Sequence, residues 1–313
     1  MTGSHIQKGQ QGQQGMALAV VLLVMALLTA MVVEFAYSVQ TKTDMLNNWY
    51  SLQRLSLASN SGASVAAKVI SYLRDNDNNV SVELPPYKFF DLPLTVSLSI
   101  QDEYARFNVN KLVQQKGTLN KDRYEAFLRM LEHLELEAEV ADRIADWIDP
   151  DEFARAGDSE LNSRNSMLSN IEEVSQIPGI DPDTYAKLKP YITVHGDGEI
   201  NVNLASVPVL VTIADGVGKD MAELIIESRQ KERFGNVSDL NSRVPGIAGL
   251  KKQTDIIYMG NMFRVVSTAR DTDGLNRIVE CVIKIGGKKS SLNKKNAGSG
   301  GGNTGVIVYW KES

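Results

Sequence analysis

From Met16 to Val33 the chain runs eighteen residues without a charge, and Thr29 is the one polar side chain among them. As a helix rising about 1.5 Å per residue this run spans roughly 27 Å, close to the ~30 Å hydrocarbon layer of a bilayer, and Glu34 marks its exit. Such a segment must either sit in a membrane or be removed by processing. Ahead of it lies a Gln/Gly-rich leader, residues 1–15, whose one firm cation is Lys8. Three readings fit. A cleaved secretory signal has a core of about 7 to 15 residues and a small-x-small site, which Ala36-Tyr37-Ser38 supplies although the core is long. A plain signal anchor is equally legal. The third reading is a leader cut between Gly15 and Met16, where the polar stretch meets the apolar run with no charged buffer, so that the helix is retained.

The remainder is soluble in character. Hydrophobic residues make up 43% and charged residues 23%, with a mean hydropathy of −0.18, which fits one or two soluble domains and excludes a multi-span membrane protein. The formal charge of −5 provides no global basic field for nucleic acid or acidic lipid. The lone Cys281 excludes an intramolecular disulfide and any zinc site built on several cysteines. His5, His133 and His195 are too far apart for a short His metal motif. No Gly-x-Ser-x-Gly elbow, phosphate loop or dinucleotide fingerprint occurs. The composition leans away from an enzyme.

No Pro or Gly interrupts the chain between Met16 and Ser61, so the helix is expected to continue past the membrane. Met45, Trp49, Leu52 and Leu55, then Val65/Ala66, Val69 and Leu73, recur at helical spacing and predict one apolar stripe that packs on a domain. Gly62 is read as a tolerable interruption, and the turn formers at 75–79 as the helix end. Residues 94–100 alternate apolar and polar as a strand, and 104–109 is expected to be its hairpin partner. Further strands are expected at 262–269, 277–285 and 306–310. Between these sets, helices are expected at 121–133, 137–147, 171–176, 183–188, 207–214 and 219–229. The fold class is α+β, a long helix on a small antiparallel sheet with a large all-helical insertion. The divisions expected are a leader 1–15, a span 16–33, a first part of the sheet domain 34–110, an inserted helical domain 111–258 and C-terminal strands 259–313, with a flexible Gly/Ser/Asn/Lys loop at 286–305.

The insertion carries an internal echo. Phe107-Asn108-Val109-Asn110 resembles Ile200-Asn201-Val202-Asn203, each a short strand whose final Asn is expected to cap the helix that follows. Turns at Gly179, Gly218 and Gly246 resemble those of helix-hairpin-helix modules, whose backbone N–H groups hold a phosphate. The charges argue against that use. Asp181 and Asp183 follow Gly179, Lys219 and Asp220 nearly cancel, and only Lys251 and Lys252 after Gly246 are well placed. From Val211 to Leu250 five cations (Lys219, Arg229, Lys231, Arg233, Arg243) meet six anions (Asp215, Asp220, Glu223, Glu227, Glu232, Asp239), a sum of −1. No nucleic-acid partner is expected; a membrane-anchored DNA receptor is the rival reading.

A second constellation is acidic. Asp142, Asp146, Asp149, Asp151, Glu152, Asp158 and Glu160 crowd a segment relieved by Arg143 and Arg155 alone. Such crowding raises carboxylate pKa values unless a cation intervenes. Asp149 and Asp151 leave a helix, and further acids follow a short loop later, which suits hard oxygen ligation of calcium without matching an EF-hand loop. A solvated acidic loop is the plain alternative, and a paired-carboxylate hydrolase lacks any supporting nucleophile or substrate pattern.

Taken together, the Gly15-Met16 junction and apolar helix, the segments 102–112, 145–151, 172–180 and 185–194, and the 200–206 module resemble one family, the minor pseudopilin K (general secretion pathway protein K) family of bacterial type II secretion systems. The resemblance covers nearly the whole chain. It implies a prepilin leader cut at Gly15-Met16 by a prepilin peptidase, with methylation, and a single pass through the inner membrane with the C-terminal domain in the periplasm. It further implies a pilin-like helix and sheet, assembly with minor pseudopilins I and J, and a place at the tip of the pseudopilus that exports folded proteins. In a chain starting at Met16 the fifth residue is Val20, where most pilin-like subunits place a glutamate for a neighbour's amine. An unpaired charge at membrane depth costs at least ~2.5 kcal/mol, so a subunit with nothing above it does better without one. The bulky insertion, too, would obstruct repeated stacking. The subunit interface is expected around Trp49, Leu52 and Leu55, and structural Ca2+ at Asp149 and Asp151 with Asp158 and Glu160, where the family's Gly-Ala-Glu appears as Gly157-Asp158-Ser159-Glu160 with Arg164.

Overall fold

The computed structural model describes residues 7–75, 80–88, 90–114, 116–160, 163–252, 254–286 and 305–313. The turn cluster expected after the first helix and nearly all of the 286–305 loop lie outside the described residues. Helix α1 (Gln7–Asp75) has 69 residues and is about 100 Å long. It is the one helix among the described residues long and apolar enough to cross a membrane. From Gly15 to Tyr50 every residue but the half-buried Ser38 is exposed, and packing begins only beyond.

After α1 come β1 (Val82–Lys88) and β2 (Leu94–Asp102). The chain then leaves the sheet as β3 (Phe107–Asn108), α2 (Lys121–His133), α3 (Glu139–Ile148), α4 (Pro182–Leu188), β4 (Ile192–Thr193), β5 (Ile200–Asn201), α5 (Val207–Leu210), α6 (Lys219–Lys231), α7 (Val237–Arg243) and β6 (Ile256–Ile257). It returns as β7 (Met262–Asp271), β8 (Asn276–Ile285) and β9 (Gly305–Glu312). The sheet has five strands in the order β1-β2-β7-β8-β9, antiparallel throughout. The fold is the expected α+β arrangement.

The hairpin expected between 94–100 and 104–109 does not form. Asp102 ends β2 by accepting a hydrogen bond from the Tyr104 backbone N–H at 2.9 Å, which starts a 3₁₀ turn, Glu103–Ala105, and sends the chain away from the sheet. The actual hairpin partner is β1, concealed in the sequence by Pro85 and Pro86. Its edge position tolerates them, with a register shift between Leu84 and Tyr87. The residues at 207–214 are helical only as far as Leu210, and 171–176 is a 3₁₀ helix.

Helix α1 meets the sheet through Leu55, Ala58, Ser59, Gly62, Ala63, Ala66 and Ile70. This face is made largely of small residues, so helix and sheet lie close. A Cβ at Gly62 would stand 2.2 Å from Ser267 Oγ, which explains a glycine inside a long helix. Leu55 and Ala58 pack on Leu94, Val96 and Ala269; farther along, Ala63, Ala66 and Ile70 pack on Leu98, Ile100, Phe263, Val265 and Val279. The alternation in β2 is strict, Leu94, Val96, Leu98 and Ile100 all pointing inward. Of the predicted stripe, only Leu55 and Ala66 are fully buried.

The excursion between β2 and β7 has its own core, where Phe107 stacks on Phe127 with centroids 5.3 Å apart. The sequence echo is real in three dimensions, but its capping is done differently. Strand β3 pairs parallel with β4, and β5 pairs parallel with β6. In each copy the first Asn, 108 or 201, accepts from the backbone N–H two residues on. The second Asn, expected as the cap, instead bridges remote backbone. Asn110 bonds Leu168 N and O and Val194 O; Asn203 bonds Phe234 N and O and Tyr258 O, all at 2.9 to 3.0 Å.

Buried charge ties this domain to the sheet. Arg264 Nε of β7 donates to Glu103 Oε1 at 2.6 Å, and Thr193 of β4 donates to the other oxygen. Burial pushes the Glu103 carboxyl up, but Arg264 and Arg106 outweigh it and hold the group below the usual range. Neighbouring Asp102 accepts from Asn201 Nδ2 at 2.7 Å. Its burial dominates, raising its pKa to about 6 against the bonds from Asn201 and Tyr104.

Candidate functional site

Helix α3 delivers the acidic constellation. Its buried face, Val140, Ala141, Ile144, Ala145 and Ile148, anchors it in the core. Asp146 therefore sits fully buried, and Asp149 becomes the C-cap, extended at φ −74°, with its N–H on Ala145 O at 2.9 Å. Asp146 holds the loop that follows: it accepts from the Arg155 backbone N–H at 2.7 Å, from the Arg155 guanidinium and from Ser159 Oγ.

The returning loop brings Asp149, Asp151 and Glu160 together, each with an oxygen within 4.8 Å of the others. Asp151 Oδ1 accepts from Phe153 N at 2.9 Å, and Glu160 Oε2 accepts from Ser163 Oγ at 2.8 Å. Both oxygens of the fully buried Asp149, and Glu160 Oε1, accept no hydrogen bond among the described residues. Arg155 Nη1 stands 2.5 Å from Asp149 Oδ2, a charge contact rather than an aligned hydrogen bond. Burial pushes the Asp149 carboxyl up; Arg155 opposes this, and the Asp151 and Asp146 charges add to it. Glu160 is likewise raised by burial, opposed by Ser163 and reinforced by Asp146, Asp149 and Asp151.

Asp158, expected in the same set, is not part of it. Its exposed carboxylate turns to Arg143 at 3.1 Å, while its buried neighbour Ser159 turns inward to Asp146. Arg143 also donates to Pro178 O at 2.8 Å beside Gly179, so the first Pro-Gly turn is occupied by a side chain of its own chain. Sequence reasoning missed the anchoring roles of Asp146, Arg155 and Ser159, whose spacings carry no motif. Three hard carboxylate donors brought together, with the pKa values of Asp149 and Glu160 raised by burial and by neighbouring acids and with Arg155 the cation against Asp149, fit a calcium ion.

The membrane-end residues are simpler. Gly15, Met16 and Val20 are exposed on the unbroken helix α1. Trp49 is 52% exposed and meets Tyr50 edge-on at 5.2 Å, and Leu52 is half-buried. Leu55 is fully buried against β2 and β7, so it belongs to this chain's own core and not to an exposed flank. The exposed apolar face instead comprises Phe35, Val39, Leu46, Tyr50 and Leu57, spaced four and seven residues apart and hence on one side of the helix. At the hairpin turns, Lys219 lies 3.9 Å from Glu223 and Lys251 3.3 Å from Asp122, so each cation has an acid of its own chain beside it.

Comparison with known proteins returns one family. The family described as type II secretion system (T2SS), protein K matches over residues 105–197 and again over 200–257. The type II secretion system protein K of Pseudomonas aeruginosa is 24% identical over 93% of this chain and 95% of its own length. That of Aeromonas hydrophila is 24% identical over 83% and 90%, and that of Pectobacterium carotovorum subsp. carotovorum 31% identical over 34% and 38%. Among solved structures, the GspK-GspI-GspJ complex from the enterotoxigenic Escherichia coli type 2 secretion system matches with a TM-score of 0.64 and 19% identity, covering 85% of this chain and 98% of the matched one.

Proposed function

The chain belongs to the type II secretion system protein K family, and from that premise we propose that this minor pseudopilin caps the tip of the pseudopilus and starts its assembly there. The observation that carries the reading is architectural: a membrane-length helix continues unbroken into a sheet domain, and a folded domain interrupts that sheet between β2 and β7. The bulk of that domain suits an end position, where nothing stacks above it. Val20 suits it too, since an end subunit has no neighbour above to pair with a charge at membrane depth. A prepilin peptidase cuts between Gly15 and Met16 on the cytoplasmic side, the span stays in the inner membrane, and the rest lies in the periplasm. There it supports the export of folded proteins.

Minor pseudopilins I and J are the partners, in keeping with the three-chain complex in which the E. coli neighbour was solved. Phe35, Val39, Leu46, Tyr50 and Leu57 supply the helix face for that contact, with Trp49 at its margin; burial of apolar surface is the available driving force. Asp149, Asp151 and Glu160 hold a structural calcium ion, which adds to the positive charge that Arg155 sets against three crowded carboxylates. The test is co-extraction in detergent of the full chain expressed with I and J. A stable three-chain complex is expected. Recovery of the chain alone, with I and J found elsewhere, contradicts the reading.

A further inference from the structure

The two edges of the sheet are built differently. Edge strand β1 carries Pro85 and Pro86, a register shift, and the charges Glu83 and Lys88, all devices that discourage pairing with another strand. Edge strand β9 carries neither proline nor charge from Gly305 to Trp310, and its one irregularity is a register shift against β8 between Ile307 and Tyr309. Val306 and Val308 are 63% and 47% exposed. No strand among the described residues pairs with its outer side. An exposed, apolar edge of this kind is a template for an added strand.

Beside that edge a groove of about 250 Å³ separates β9 from α1, walled by Ala63, Ala67, Ile307 and Trp310 and floored by Cys281 and Ile283. The exposed face of α1 leads into it, since Ser64 at the groove follows Leu57 by seven residues. The helix runs antiparallel to β9: Ser56 donates to Glu312 at the strand's end at 2.5 Å, and Ala67 shares the groove with Gly305 at its start. This direction selects the occupant. Two copies joined through their β9 edges by a two-fold axis would have reversed strands and therefore reversed helices, and their spans could not enter one membrane. A different membrane-anchored subunit, with its own helix running the same way as α1, meets no such conflict.

We propose that the outer edge of β9, together with its groove against α1, receives an extended, uncharged segment of a partner minor pseudopilin, which adds a sixth strand to the sheet and places an apolar side chain in the groove. This rests on the assembly reading above and adds a second contact to the helix face. The test uses the full chain in detergent with partners I and J, read by backbone hydrogen exchange and by affinity. Amides of β9 are expected to gain at least tenfold protection on complex formation, and the double variant Val306→Lys, Val308→Lys, with an unchanged melting temperature, to weaken the complex at least tenfold. The control Tyr87→Lys on the opposite edge is expected to leave affinity unchanged. A complex that protects residues 46–57 of α1 but not β9 overturns the inference and leaves the assembly reading standing. Failure of the unaltered chain to bind either partner overturns both. Concentration-dependent protection of β9 in the chain alone assigns the edge to a second copy and overturns the proposal.

Discussion

Asp149 and Asp158 lie nine residues apart in one acidic loop, yet one is buried beside Asp151, Glu160 and the Arg155 guanidinium and the other is exposed against Arg143. Calcium is therefore expected to act through the first and not the second. At a free concentration ten times a dissociation constant of around 10⁻⁴ to 10⁻³ M, occupancy stabilises the fold by RT ln 11, about 1.4 kcal/mol. Thermal melts are expected to rise with calcium in the unaltered chain and in Asp158→Ala, and to be unresponsive in Asp149→Ala; a lost response in Asp158→Ala places the site wrongly. Asp149 and Asp151 were legible in the sequence because they leave a recognisable helix. The choice of Glu160 over Asp158 was not, because it depends on Ser159 turning to Asp146, thirteen residues away in the folded loop. Asp102 yields a pH prediction. Its folded pKa of about 6 lies above the unfolded value of about 3.9, so the folded state holds the extra proton between them. Its contribution is fully present below about pH 4 and is lost as pH rises through 6, an effect of up to about 3 kcal/mol by the linkage arithmetic. In chelator, the unaltered chain is expected to lose stability relative to Asp102→Asn across that window; parallel curves contradict this.

Helix α1 presents two faces with opposite duties. The face on the sheet is small, from Ala58 through Gly62 to Ala66, and close approach is its function. Gly62→Leu forces a side chain into Ser267 and is expected to cost at least the 1–3 kcal/mol typical of overpacking, read as a lower denaturation midpoint. Leu57→Ala, on the exposed face, is expected to stay within about 0.5 kcal/mol in the chain alone while weakening the complex with I and J. Equal effects of the two variants on the isolated chain contradict the assignment of faces. The helix itself was legible from its unbroken run of non-Pro, non-Gly residues. Its packing face was not, because a search for large apolar residues at helical spacing passes over alanine, serine and glycine. Strand β1 escaped for a related reason: two prolines argue against a strand interior, and only the finished sheet shows that they lie on an edge. The two-residue strands β3 to β6 are too short for any periodicity to register.

At the scale of the whole molecule, the insertion is two echoing Asn-Val-Asn units whose second asparagines tie distant loops together, and it is fastened to the sheet through Glu103, Arg264 and Thr193. The repeat was visible in the sequence, whereas the remote backbone partners of Asn110 and Asn203 could appear only once the loops were placed. A folded insertion on a helix of membrane length suits the end position proposed above. A subunit anchored at the filament's end requires that helix to be kept and its leader removed. The most direct measurement is the intact mass of the chain extracted from membranes of cells that contain the prepilin peptidase. The expected species is a chain beginning at Met16 and carrying an N-terminal methyl group. A chain still beginning at Met1, or one cut beyond Ala36 and released from the membrane, would contradict it.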